Sequence, residues 1–514
     1  MIYDVAIIGG GLGGVAAALA AARNGKKVYL SEETTWIGGQ VSSQGVPPDE
    51  HPYIEEFGCT SSYRKYRNSV RDYFKNNYSL TKDAQNQNHL NPGGGWVGTI
   101  CHEPRISQNI LETMLSQYRS SGLIDLDLES KVVSAEITNN HVIQSVVIRK
   151  NNSEKKIKAH YFIDATETGE LLPLTNTEFI MGSESKIKTG ELHALEEENQ
   201  LDMQAVTWCF AVSLEPDGDY TIPRPDRYDH YRKHLSKFWP GSQLSWTYSQ
   251  PHTLEEVEGS IEKVEGKVDL FGYRKILDNS ILTNDVSEIT LVNWPQNDYW
   301  MGPLFGQSKE ENEFHYNEAK EISKCFLYWL QTEAGYPNLK PRGDSMGTDD
   351  GFAMRPYIRE SRRIAAEFTV LESHIGVAMR KSHLAEPFHD SVGIGHYHLD
   401  LHPSTGGRNY VDMESCPFQI PMGAMIPVKT KNLIPGCKNI GTTHITNGCY
   451  RLHPVEWNIG ESAALMSVYA IEQECTIREI YEDKNKLKEF QAFLVKEGIE
   501  LSWPENLERE DIQW

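Results

Sequence analysis

Several things are scarce in this 514-residue chain, and each scarcity narrows what it can be. Its eight cysteines, at 59, 101, 209, 325, 416, 437, 449 and 475, never form a C-x-x-C pair. That excludes a zinc ribbon and a redox dithiol of the usual spacing. Scattered through so long a chain, they do not read as a disulfide framework, and a reducing compartment is expected. Positive charge is scarce too: 50 lysines and arginines stand against 72 acids, a net charge of −22, with no basic block. Such a chain is a poor partner for nucleic acid or for an anionic membrane. The apolar opening MIYDVAIIGGGLGGVAAALAAARNGKKVYL lacks a basic leader and carries Asp4. It therefore reads as folded structure and not as a signal sequence, and a cytoplasmic protein without a membrane span is expected.

What is present begins at once. Ile2 to Ile8 is a short apolar run rich in β-branched residues, the pattern of a buried parallel strand. Gly9, Gly11 and Gly14 then satisfy G-x-G-x-x-G, Val15 to Arg23 is an alanine-rich helix, and Lys27 to Ser31 is a second strand closed by Glu32. Each part has a physical task. Gly9 permits a tight turn, Gly11 lets the backbone approach a pyrophosphate, and Gly14 lets helix and strand pack closely. The helix start offers unpaired N–H groups to phosphates, and Glu32, or Glu33 beside it, can accept from a ribose diol. The pair Gly38-Gly39 just past the acid resembles the FAD domains of the disulfide reductase and fumarate reductase type. No second G-x-G-x-x-G marks a nicotinamide domain, so FAD is the expected dinucleotide.

Further along, Ile106 to Ser120 has helical periodicity, Val132–Ile137 and Val142–Ile148 alternate as strands, and Lys156 to Ile163 is another strand. That strand ends in Asp164-Ala165-Thr166-Glu167-Thr168-Gly169, and A-T-x-x-G after a strand is a usual second contact with FAD, here through Ala165 and Thr166. Between about 171 and 425 the βαβ rhythm is lost. Phe326–Trp329 and Ile364–Leu371 look helical, and Ile289–Val292 and Val392–Leu401 look like strands. Asn432 to Ile440 reads as a returning strand and Glu456 to Ile471 as a helix. The expected fold class is α/β: a Rossmann-like FAD-binding domain of three-layer ββα type (1–170 and 426–475) with an inserted α+β substrate domain (171–425). Residues 41–100 read as a loop-rich insertion, a lid or an oligomer contact, so a homo-oligomer is a candidate assembly. Residues 476–514 read as a helical extension.

The segments DVAIIGGGLGGVAAALAAARNGKKV, WIGGQVSSQGVPPDEH, CHEPRI, FIDATETGELLPL, RPYIRESRRI and PFQIPMGAMIPVKTKNLIPGCKNIGTTHITNGCYRLHPVEWNIGESAA span nearly the whole chain. In them the sequence resembles the FAD-dependent oxidoreductase family of the glutathione reductase/fumarate reductase type. The resemblance implies bound FAD and redox chemistry; a small-molecule substrate is the expected partner. By similarity, Gly9, Gly11, Gly14, Glu32, Gly38, Gly39 and Gln40 line the dinucleotide path, Arg105 reaches the cofactor phosphates and Val133 touches adenine through its backbone. Gly441, following the return strand, and Asn458, Ile459 and Gly460, at the helix amino end, face the flavin. The run Arg359-Glu360-Ser361-Arg362-Arg363 grips an anionic group or forms a salt-bridged helix face.

GHYHLDLH, from Gly395 to His402, is the densest polar stretch. At strand spacing His396, His398, Asp400 and His402 share one face. A zinc site would have the same spacing, but flavin chemistry requires no metal, and the wall of a substrate pocket is the favoured reading, with no metal expected. The leading function is hydride removal from a C–H beside an amine or hydroxyl; the alternative is a flavoprotein lyase, isomerase or scaffold without net redox work. His402 and His444, both expected at strand ends, are the candidate bases, with Arg451 counted as a third catalytic candidate.

Overall fold

The computed structural model describes residues 2–382, 384–504 and 507. Its centre is a five-stranded parallel sheet in the order Leu433–Pro435, Ala159–Asp164, Tyr3–Ile8, Val28–Ser31, Ile124–Asp127. Along Tyr3–Ile8 the side chains alternate: Val5 and Ile7 join the larger core with the helices, while Tyr3, Ala6 and Ile8 face a second, smaller core. On the first face pack the helices Leu12–Arg23 and His453–Glu472. The second face is covered by a three-stranded antiparallel sheet, Lys131–Ile137, Ile143–Lys150 and Ser153–Ile157, whose Val132, Ile143, Val146 and Ile148 fill the smaller core. Sheet, sheet and helix thus form three layers.

The register aligns the carboxyl ends of the strands. Ile8 is level with Ser31 and with Asp164, so Gly9, Glu32 and Ala165 leave the sheet along one edge. Substrates and cofactors of open parallel sheets bind beyond this edge. Between 171 and 425 lies a four-stranded antiparallel sheet (Lys275–Leu277, Ile289–Val292, Phe210–Leu214, Leu339–Pro341) with the long helix Lys309–Gln331 and several short ribbons.

Some expectations need correction. Within 41–100, Ser61–Asn77 is a 17-residue helix capped by Thr60, burying Tyr63, Tyr66, Arg67, Val70 and Phe74 on one stripe. Ile364–Leu371 is not helical. Its N–H groups go to distant partners instead, Ala365 to the Glu178 carbonyl, Glu367 to that of Ile426 and Val370 to that of Gly441. Lys156–Ile163 is divided between two sheets, and Val392–Leu401 is broken into Ser391–Gly395 and Leu399–Leu401. The extension past 476 holds helices Ile477–Glu482 and Lys484–Lys496, and most of its tail beyond 504 lies outside the described residues.

Candidate functional site

A cleft of about 740 Å³ opens at the carboxyl edge of the sheet. Gly9, Gly11, Glu32, Glu33, Gly39, Ala165 and Thr166 line it, as the sequence leads one to expect. Gly9 (φ +101°) lies so close to Ala165 that a Cβ would meet its carbonyl oxygen at 2.3 Å, and a Cβ on Gly14 would meet the Gly9 oxygen at 2.0 Å. A Cβ on Gly11, by contrast, would approach nothing nearer than the Glu167 carboxylate at 3.0 Å. Gly9 and Gly14 therefore serve packing, whereas Gly11 leaves space on the cleft side.

Glu32 is almost fully buried. Its Oε2 accepts from the Gly10 N–H (2.9 Å) and its Oε1 from the Thr34 N–H and hydroxyl (both 2.8 Å). Burial pushes its carboxyl up to about 7 against those hydrogen bonds. Oε2, with one bond, keeps an acceptor site, which suits a ribose hydroxyl. Glu33 ion-pairs with Arg355 and with Lys131 (3.1 Å).

Other expected contacts lie elsewhere. Gly38 does not line the cleft; its N–H donates to the Gly10 carbonyl, holding the two glycine turns together (2.7 Å). Gln40 reaches away, donating to the Arg451 carbonyl (3.0 Å) and to Glu456. Arg105 pairs with Glu103 at 3.0 Å. Among the described residues, two cations that line the cleft, Lys309 and Arg362, have no acidic partner; Arg362 donates to the Thr168 carbonyl (2.7 Å) and lies 4.4 Å over the Phe305 ring. Val133 is the unmatched residue of a bulge between the pairs Val132–Ile148 and Ser134–Val147, and it is Lys131 and Val132 that wall the cleft.

The last long helix begins at His453, a turn earlier than expected, so Asn458, Ile459 and Gly460 sit inside it. Asn458 donates to the Ile394 carbonyl (3.3 Å), Ile459 is buried in the core, and a Cβ on Gly460 would strike the Gly13 oxygen at 2.0 Å. These residues join the helix to its neighbours and do not line the cleft. Gly441 is likewise enclosed, with Ala366 and Phe368 against it. The Gly13 N–H, expected to be open to phosphate, donates to Glu456 at 3.2 Å.

The chain from Arg355 to Arg363 is neither a helix nor a single ionic face. Arg355, Ile358 and Arg362 face the cleft. Tyr357 and Arg359 join a polar cluster with Arg451 and Asp298, and Arg363 is tied to Glu360 (2.5 Å) and Glu184 (2.8 Å). In the cluster His402 Nδ1 lies 2.5 Å from Asp298 Oδ2, and its Nε2 lies 3.7 Å from Asp400 Oδ1. Burial would raise the Asp298 carboxyl, but Arg359 and His402 hold it below the usual range. Arg451 donates to Asp400 (2.7 Å) and to the Tyr357 hydroxyl (2.8 Å). His444 is at a helix start, not a strand end. It is sealed at 2% side-chain exposure, its Nδ1 2.9 Å from Glu360, whereas the His402 side chain is 20% exposed.

The GHYHLDLH side chains do not share a face. The His396 ring stacks on Tyr53 at 6.0 Å, His398 pairs with Asp412, and His402 pairs with Asp298. The chain bends at 396–398, and the two flanking strands pair with different partners. Among the described residues no group of three or more His, Cys, Asp or Glu is placed to hold a metal ion, and no helix is long and apolar enough to cross a membrane.

Three solved structures similar to this chain illustrate the range of likeness. A geranylgeranyl bacteriochlorophyll reductase-like protein from Thermoplasma acidophilum is 13% identical, with 97% of this chain and 84% of that one covered and a TM-score of 0.33. The myxobacterial FAD-dependent chondrochloren halogenase is 11% identical (96% and 82% covered, TM-score 0.34). L-proline dehydrogenase from P. horikoshii is 17% identical (36% and 24% covered, TM-score 0.19), so this chain spans about a quarter of its length. No curated protein matches. The FAD dependent oxidoreductase family profile matches residues 4–494. The chain belongs to the FAD dependent oxidoreductase family, and FAD is its cofactor.

Proposed function

We propose that the protein is a dehydrogenase or oxidase that takes hydride from a C–H beside a hydroxyl or amine of a small polar molecule, with His402 as the base. The cleft residues Gly9, Gly11, Glu32, Ala165 and Thr166 would hold FAD, with Arg362 in place of Arg105 as the cation toward its phosphates. Residues 171–425 would supply the substrate side. Bound FAD supplies a two-electron acceptor for the hydride. The heteroatom proton goes to His402.

The observation that carries this reading is the His402–Asp298 pair, joined through Arg359 to the segment whose Ile358 and Arg362 line the cleft. Asp298 accepts from Nδ1–H, which leaves the Nε2 lone pair available and stabilises the imidazolium once the proton has moved. Asp298 is poised for this, since Arg359 keeps it ionised. His444 lacks such access, and His453 is held neutral: burial lowers it to about 4, and its Nδ1 accepts from the Asp49 N–H at 3.0 Å.

The test is anaerobic mixing of the holoenzyme with amines, hydroxy acids, sugars and aromatic metabolites. Bleaching of the oxidised flavin spectrum is expected with one class. Turnover of any of them with no flavin reduction would overturn the redox reading.

A further inference from the structure

The polar cluster around His402 has a composition that limits its ligand. Three buried arginines each face an aspartate: Arg274 with the buried Asp49 (2.7 Å), Arg359 with the buried Asp298 (3.3 Å) and Arg451 with the half-buried Asp400 (2.7 Å). The pairs are neighbours. Arg359 and Arg451 lie over the Tyr357 ring at 4.9 and 5.9 Å, and His402 stands between Asp298 and Asp400. The fields of Asp49 and Arg274 reach the Tyr357 hydroxyl, which burial first of all raises.

In all three arginines the Nε–H is buried and without a hydrogen-bond partner. So is Oε1 of Gln243, whose amide nitrogen donates to the Asp298 carbonyl (3.4 Å). Leaving a buried polar group unpaired is costly, so orphans on every arginine of one cluster point to a ligand that satisfies them.

Charge then selects the ligand class. Each guanidinium is already neutralised by its aspartate. A carboxylate entering the cluster would lose its hydration and find three acids with no cation in excess, and an ammonium would meet three guanidiniums. A hydroxyl meets neither difficulty, because it accepts from an Nε–H and donates to a carboxylate or to Gln243 Oε1 at the same time. Several such stations call for several hydroxyls. Tyr410, with its ring 5.3 Å from that of His402 and 6.0 Å from that of Trp239, adds apolar faces for ring C–H groups.

We propose that the Arg–Asp cluster binds a neutral polyhydroxylated molecule, a sugar or cyclic polyol, and presents one of its secondary alcohols to His402. This rests on the reading of His402 as the base. Oxidation of that alcohol balances as hydride to FAD, proton to His402 and a ketone as product.

The test is titration of the holoenzyme with myo-inositol, methyl glucoside, gluconate and an aliphatic amine, followed by perturbation of the flavin spectrum and by anaerobic bleaching. Perturbation by a neutral polyol is expected, weakened about tenfold or more in both Asp400→Asn and Arg451→Gln, with flavin content retained. If Arg451→Gln does not fold, Asp49→Asn and Arg274→Gln supply the same comparison. An anionic ligand would respond with opposite signs, tightened by loss of the aspartate and weakened by loss of the arginine, and that result overturns the proposal. No response to any polyol also overturns it, whether or not acids or amines respond. Binding of a polyol without bleaching upholds the ligand class and removes the redox reading.

Discussion

At Glu32, burial and hydrogen bonding oppose each other, and the balance makes cofactor affinity depend on pH. Its carboxyl is raised to about 7 in the free protein. Ribose hydroxyls that donate to the carboxylate favour the charged form, so the complex has the lower value and binding releases a proton below about pH 7. Affinity for FAD is therefore expected to be flat above that pH and to weaken as pH falls through it. Glu32→Gln should bind more weakly and lose the pH dependence. Fluorescence titration of the apoprotein between pH 5.5 and 8.5 checks this, and an equal slope in wild type and variant would exclude Glu32. At Gly11 the open side of the Cβ position predicts that Gly11→Ala folds normally yet binds FAD about tenfold or more weakly, the scale of a 1–3 kcal/mol overpacking cost. An apoprotein melting temperature matching wild type, with a raised Kd, is the expected pair of results. His402→Ala should keep FAD while slowing flavin reduction by a good substrate about a hundredfold or more, the usual scale for losing a general base. Near wild-type stopped-flow reduction would remove His402 from the chemistry.

Among the elements, the crossing of helices Leu12–Arg23 and His453–Glu472 depends on two glycines whose backbones nearly touch. A Cβ at Gly460 falls 2.0 Å from the Gly13 oxygen, which is backbone and cannot swing aside. Gly460→Val must push Leu12–Arg23 away from His453–Glu472, and with it the turn that holds Gly9 and Gly11. The expected outcome is destabilisation at or above the 1–3 kcal/mol typical of overpacking, with FAD lost through displacement of the turn. Calorimetry of the apoprotein decides the matter: an unchanged melting temperature would mean that the helices tolerate separation. The Arg355–Arg363 segment is the other element with consequences, because Arg355, Ile358 and Arg362 serve the cleft while Tyr357 and Arg359 serve the polar cluster.

For the molecule as a whole, the cleft is walled by segments far apart in the chain: residues of 9–39 and 165–170, and residues of 304–316 and 355–362. FAD filling it joins these segments, and a ligand at a hundred times its Kd stabilises the folded state by about 2.7 kcal/mol. Hydrogen exchange of apo and FAD-loaded protein should therefore show protection rising in all of them. Protection confined to residues 9–39 and 165–170 would exclude residues 304–316 and 355–362 from cofactor binding.

What the sequence by itself determined is what local spacing can encode. The glycine triplet, the acid closing the second strand and A-T-x-x-G after a later strand each belong to one short segment, and each contributes residues to the cleft: Gly9 and Gly11, Glu32, and Ala165 and Thr166. The 61–77 helix was equally legible, since Tyr63, Tyr66, Val70 and Phe74 have helical spacing behind the Thr60 cap, but Pro47-Pro48 and the Gly93–Gly95 run made the surroundings look like loop. Only the tertiary structure decided the rest. Strand spacing put four polar residues of GHYHLDLH on one face, yet the pairing partners, Phe418–Pro421 and Val411–Met413, bend the chain between them and send each histidine to a different place. His402 meets Asp298 across 104 residues, and Arg359 and Arg451 meet at Tyr357. Such contacts leave no periodic mark. They arise because buried charges and N–H groups must find partners, and which partners are near is settled by how the sheets pack.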